Sequence, residues 1–112
     1  MFVKDIIPIL NAQVITAGDL GSEICSACGS DMMSDVLAYV KDQSVLLTGL
    51  VNPQVVRTAD MMDMSCVVFV RGKEPDQTTI ELAKERNITL LKTNLRMFTA
   101  CGLLYVNGLR GG

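Results

Sequence analysis

Two short polar constellations and one set of turns could carry chemistry in this chain. Cys25 and Cys28 form a Cys-x-x-Cys pair, the spacing of half a structural zinc site or of a redox dithiol. Zinc needs four ligands, and such pairs normally come twice. The remaining thiols are Cys66, inside an apolar run, and Cys101, on a helical pattern. No metal site is expected, and two ordinary thiols in a reducing compartment are the simpler reading. Ser30-Asp31 and Ser34-Asp35 repeat one helical turn apart. Their plain role is to cap a helix and solvate its first turn; their sharper role is to contact a polar ligand or partner there.

What is missing narrows the reaction classes. There is no His, so the commonest general base and the commonest metal ligand are both absent. No nucleophile–base set, Gly-x-Gly-x-x-Gly or phosphate-loop pattern occurs. The expectation is a protein that is not an enzyme and implies no cofactor. A net charge of −2, 4% aromatics and no cluster of more than two Lys/Arg neighbours argue against nucleic acid. No apolar stretch is long enough to span a bilayer and no signal-like segment opens the chain, so it reads as cytoplasmic.

The elements that must position these residues follow from three apolar runs, 44–48, 65–70 and 89–92, each followed by a turn and a helical pattern. Continuous apolar runs spaced by helices are what a parallel sheet covered on both faces requires. The turns Thr48-Gly49, Arg71-Gly72 and Thr93-Asn94 should then meet at the carboxyl edge of that sheet, where open α/β folds bind ligands. Ser30, Asp31, Thr48, Gly49, Arg71, Gly72 and Thr93 are the candidate ligand-binding residues; no catalytic residue is assigned.

Around this core, a helix is expected over 3–10, starting or kinking at Pro8, then strands over 13–16 and 22–28. Ser30-Asp31 opens a helix with Met32, Met33, Val36, Leu37 and Val40 on one apolar face. Asn52-Pro53 starts the next helix, with Val55, Val56, Ala59, Met62 and Met61 inward, and Asp76 caps another that runs to Arg86. A last helix from Leu95 to Tyr105 should bury Phe98, Cys101, Leu104 and Tyr105. Residues 106–112 read as a frayed tail on one domain spanning 1–112. Hydrophobic residues at 49%, with seven Met clustered partly at 61–64, suggest apolar surface held against a second copy.

Arg71-Gly72-Lys73-Glu74-Pro75-Asp76, Ile80 to Glu85 and Ile88 to Thr93 resemble the DRTGG domain family, and more distantly the N-terminal domain of HPr kinase/phosphorylase. Ser30 to Ala38 resembles a Ser-Asp-Leu-Leu-Ser-Asp-Val segment of small stand-alone members, often encoded beside iron-hydrogenase components. The stretch that should hold the family's naming letters is Gly21-Ser22-Glu23-Ile24-Cys25-Ser26-Ala27; the acidic–basic pair and double glycine are missing. The resemblance implies a small three-layer α/β domain with a mainly parallel sheet of βα units, commonly dimeric and accompanying catalytic or nucleotide-sensing domains. Together these readings point to a non-enzymatic regulatory or interaction module that forms a homodimer and senses a small ligand. Two alternatives stay open: a nucleotide- or anion-binding domain using the strand-end crevice, and a redox or iron–sulfur accessory of hydrogenase systems through Cys25 and Cys28. A partner protein would then come from a hydrogenase or signalling setting.

Overall fold

The three apolar runs become the middle of a five-stranded sheet in the computed structural model, which describes residues 1–40 and 42–111. The strands are β1 (Gln13–Thr16), β2 (Ser26–Gly29), β3 (Ser44–Thr48), β4 (Cys66–Phe69) and β5 (Thr89–Lys92). The helices are α1 (Val3–Leu10), α2 (Met33–Tyr39), α3 (Pro53–Met61), α4 (Gln77–Glu85) and α5 (Met97–Val106). Strand order is β1-β5-β4-β3-β2, with β2 to β5 parallel and β1 antiparallel to β5.

Every residue of β3 and β4 is buried, as the unbroken apolar runs require. Alternate residues serve opposite layers. Val45, Leu47, Cys66, Val68 and Leu91 pack under α1 and α5, while Leu46, Val67, Phe69 and Leu90 pack under α2, α3 and α4. Each fully buried Val or Leu contributes roughly 1.5–3 kcal/mol. The expected three-layer α/β architecture is present. From β2 to β5 the chain advances one strand at a time in one direction, so crossovers of one hand place α2, α3 and α4 on the same face. From β2 onward the chain changes face only after β5.

The local signals explain the helix boundaries. Asn52 Oδ1 accepts from the Gln54 N–H at 3.0 Å with Pro53 at the first helical position, and Asp76 Oδ1 accepts from the Thr79 N–H at 2.9 Å. α1 continues unbroken through Pro8 and starts at Val3, where the Asp5 carboxylate accepts from the Phe2 N–H at 2.8 Å.

Several expectations are corrected. β2 starts at Ser26, not Ser22, because the preceding residues bond elsewhere: the Val3 N–H donates to Ser22 O and the Ile24 N–H to Met1 O. α2 starts at Met33, and its apolar face is narrower than expected, with Met32 and Leu37 exposed. On α5, Phe98 is 89% and Tyr105 57% exposed, while Ala100 and Leu104 are the fully buried residues. A helix that is apolar all round offers no periodicity from which to read its inner face. Met61 is exposed and Met64 buried, so the Met cluster is not one continuous surface. The tail is docked rather than frayed: Leu109 is buried, and Arg110 O accepts from the Ala27 N–H at 3.0 Å, covering part of edge strand β2. Residue 112 lies outside the described residues. Among those described, no helix is long and apolar enough to cross a membrane.

Candidate functional site

Four parallel strands end side by side, and the turns that follow them hold all seven candidate residues in contact with one another or adjacent in sequence. The Ser30 N–H donates to Leu47 O at 3.0 Å, fixing the turn after β2 against β3. Ser30 Oγ accepts from the Met32 N–H at 3.0 Å, so it orders its own turn. Asp31 does not cap α2 as expected. Its Oδ1 reaches across to the end of β3 and accepts from the Gly49 N–H at 2.6 Å and the Thr48 hydroxyl at 3.0 Å. Thr48, fully buried, also accepts from the Leu50 N–H at 3.1 Å, so its hydroxyl both donates and accepts.

Gly49 matters for what lies on it. A Cβ at this position would overlap Arg71 Nη2, so the guanidinium rests against the glycine. Arg71 itself has φ +61, a left-handed conformation uncommon for a residue with a Cβ, and Gly72 follows at φ +67. Two backbone bonds hold this turn: the Arg71 N–H donates to Leu95 O and the Gly72 N–H to Thr93 O, both at 2.8 Å. Those bonds lace shut the gap between the β4 and β5 turns, the place where the chain changes face. Among the described residues no carboxylate lies within ion-pair distance of Arg71, because the two ion pairs are Arg86–Asp60 and Lys92–Glu74.

Thr93 joins the other candidates through its carbonyl alone, and its side chain is engaged elsewhere. It is 2% exposed, and its hydroxyl donates to Leu10 O at 2.8 Å, tying β5 to the end of α1. Asn94, not among the candidates, places Oδ1 within 3.0 Å of a Cβ built on Gly72. It also lines a polar cleft of about 200 Å³ with Asn11, Gln13 and Lys92. The signal for Asn94 was available: Asn is a turn residue, and it sits directly after a strand. The groove between α3 and α4, about 310 Å³ and lined by Arg57, Asp60, Met61, Leu82 and Arg86, lies away from these turns.

The cysteines are placed differently. Cys25 is exposed, and its thiol donates to Gln43 Oε1 at 3.3 Å. Cys28 lies in β2, packed toward the α2 layer; burial first, and the nearby Asp35 charge second, push its thiol pKa up. Burial pushes Cys66 to about 12 and raises Cys101 as well. A reactive thiol needs the opposite shift and a cationic or helix N-terminal setting. Among the described residues no three Cys, Asp or Glu side chains converge as a metal site would require.

The arrangement therefore offers an exposed cation, a fixed carboxylate and backbone turns at the carboxyl edge. The stretch 21–27, where the family's naming letters are missing, leads into the start of β2 at the opposite edge: the Cys25 N–H donates to Gln43 O, just ahead of β3. A family model for the DRTGG domain matches residues 5–105. Among solved structures, the chain is similar to the CBS and DRTGG domains of the regulatory region of Clostridium perfringens pyrophosphatase, in complex with its activator diadenosine tetraphosphate. The TM-score is 0.74 and the identity 20%, over 92% of this chain and 45% of that one. The chain thus spans less than half the length of that regulatory region, and at this identity the likeness speaks for the fold. No curated protein matches the chain.

Proposed function

This chain belongs to the DRTGG domain family, and on that premise we propose that it is a regulatory module without catalysis of its own. Its ligand is an anionic molecule of the nucleotide class, read at the carboxyl ends of β3 and β4. One observation carries this reading: the exposed Arg71 guanidinium rests on Gly49, whose N–H Asp31 already holds, with no ion-pair partner among the described residues. An exposed guanidinium without an ion-pair partner is suited to a phosphate, since its fork of donors matches phosphate oxygens. Asp31 occupies the Gly49 N–H, so the ligand's phosphate meets the side chain of Arg71 and not the backbone of the β3 turn. The similarity to a regulatory region crystallised with a dinucleotide activator supports the ligand class. A redox role for Cys25 and Cys28 has no such support, since burial disfavours the Cys28 thiolate.

The test is isothermal titration calorimetry with AMP, ATP, diadenosine tetraphosphate and inorganic phosphate. At least one nucleotide should bind, and Arg71→Ala should weaken it at least tenfold while far-UV circular dichroism stays unchanged. Absence of heat with all four probes, or binding that survives Arg71→Ala, would sink the reading.

A further inference from the structure

The last helix carries an apolar ridge that none of the described residues covers. α5 contains no charged residue, and Phe98, Gly102, Tyr105 and Val106 follow one another at helical spacing on its outer side. Phe98 is 89%, Tyr105 57% and Val106 76% exposed. The ridge presents on the order of 400 Å² of apolar surface, given the size of aromatic side chains. That is near the largest patch an ordinary monomer shows and about half of what each partner contributes to a standard interface.

Gly102 gives the second observation. Glycine inside a helix is destabilising relative to alanine, so it usually has a packing reason. Here a Cβ at 102 would meet no atom within 4 Å. No contact among the described residues explains the glycine, whereas close approach of a second backbone does. The ridge is also symmetric about this residue: Phe98 stands four positions before it and Val106 four positions after, about 6 Å along the axis in each direction.

We propose that two copies of this chain associate through α5, with the two helices antiparallel and crossing at Gly102. A dyad through Gly102 sets Phe98 against Val106 of the partner subunit, and the reverse, as an isologous contact demands. The missing side chain at the crossing lets the helices close on each other. A ridge free of charge brings no like-charge repulsion when it meets its own copy. Arg110, its guanidinium 4.2 Å from the Tyr105 ring centre, supplies a polar rim at the end of the contact. A second copy fits better than an unrelated protein because the large–small–large order is the same read in either direction.

Sedimentation velocity on the full chain tests this. The wild type should sediment as a dimer at tens of micromolar. Phe98→Asp should be a monomer at the same concentration, and Gly102→Leu should weaken association at least tenfold by wedging the helices apart. Both positions are exposed in the subunit, and circular dichroism will show that both variants keep the wild-type fold. Val14→Asp, on edge strand β1, should leave the dimer intact. A monomeric wild type overturns the proposal, and so does a dimer that neither Phe98→Asp nor Gly102→Leu disturbs.

Discussion

Gly18→Ala should be among the most damaging single-methyl changes in this chain. A Cβ at Gly18 would stand 2.5 Å from Asn87 O and 2.9 Å from Asn87 C. Both are backbone atoms, in a turn where Asn87 already holds φ +55, so neither can rotate away. Relief requires the 17–20 turn to lift off. Lifting it breaks the bond from the Gly18 N–H to Thr89 Oγ1, 2.9 Å long, and leaves a fully buried hydroxyl without that donor. Overpacking costs about 1–3 kcal/mol and the orphaned hydroxyl about 1–3 kcal/mol. Because one movement causes both, the expected loss is about 2–4 kcal/mol, a large part of a total of about 5–15 kcal/mol. Urea unfolding followed by circular dichroism would show it as a midpoint lower by about 1–2 M, for a slope near 2 kcal/mol/M. The control is Gly49→Ala. Its new methyl overlaps only the end of the flexible Arg71 side chain, so the loss should stay below about 1 kcal/mol. If Gly49→Ala proves the more harmful of the two, or Gly18→Ala costs under about 1 kcal/mol, then rigidity of the neighbour is not what sets the cost.

Three further outcomes are expected. Thr58 Oγ1 is buried with no hydrogen-bond partner among the described residues, so Thr58→Val should be neutral or stabilising by up to about 1 kcal/mol, read as a higher melting temperature; a clear loss would reveal a partner for the hydroxyl. Cys66→Ser should destabilise by about 1–3 kcal/mol, and in the native wild type a thiol reagent at pH 8 should label Cys25 while Cys66 stays unreacted until unfolding. Asp76 has its pKa lowered by bonds from the Thr79 backbone N–H and then the Thr79 hydroxyl. Its contribution is therefore complete above the unfolded carboxyl value, about 4, and is lost as pH falls through the lower folded value. Asp76→Ala should melt below wild type at pH 7, with the gap closing in strong acid; a gap that is constant with pH would exclude the carboxylate as its source.

Much of the frame was legible because local and tertiary demands agree. β3 and β5 have the predicted bounds, since the middle of a strand buried on both faces must be apolar and polar residues mark its ends, and Asn52-Pro53 and Asp76 mark their helices by bonds to the backbone. Legibility failed where the partner is distant in sequence. Residues 22–25 are extended, yet they bond to the N-terminus and to Gln43 instead of joining β2. Asp31 looked like a helix cap because Ser and Asp before an apolar run usually are caps; the competing donors at Thr48 and Gly49 come from another turn. Convergence of the turns at the carboxyl edge followed from strand parallelism alone. That Thr93 turns inward to Leu10 did not, because it depends on where α1 ends.

The antiparallel edge strand has a consequence for how the chain is made. β1 pairs only with β5, Gln13 opposite Lys92, and α1 lies against α5. The units from β2 to β5 each pack on their sequence neighbour and can close as they emerge. The first sixteen residues cannot: at ribosomal speed they wait roughly 4–15 s for β5 to be synthesised. Through that interval Val45, Leu47, Cys66 and Val68 lack the helical layer that will cover them. The two ends of the chain then close this face together, so a chain truncated after residue 92 should leave its first helix open to protease while α3 and α4 stay protected.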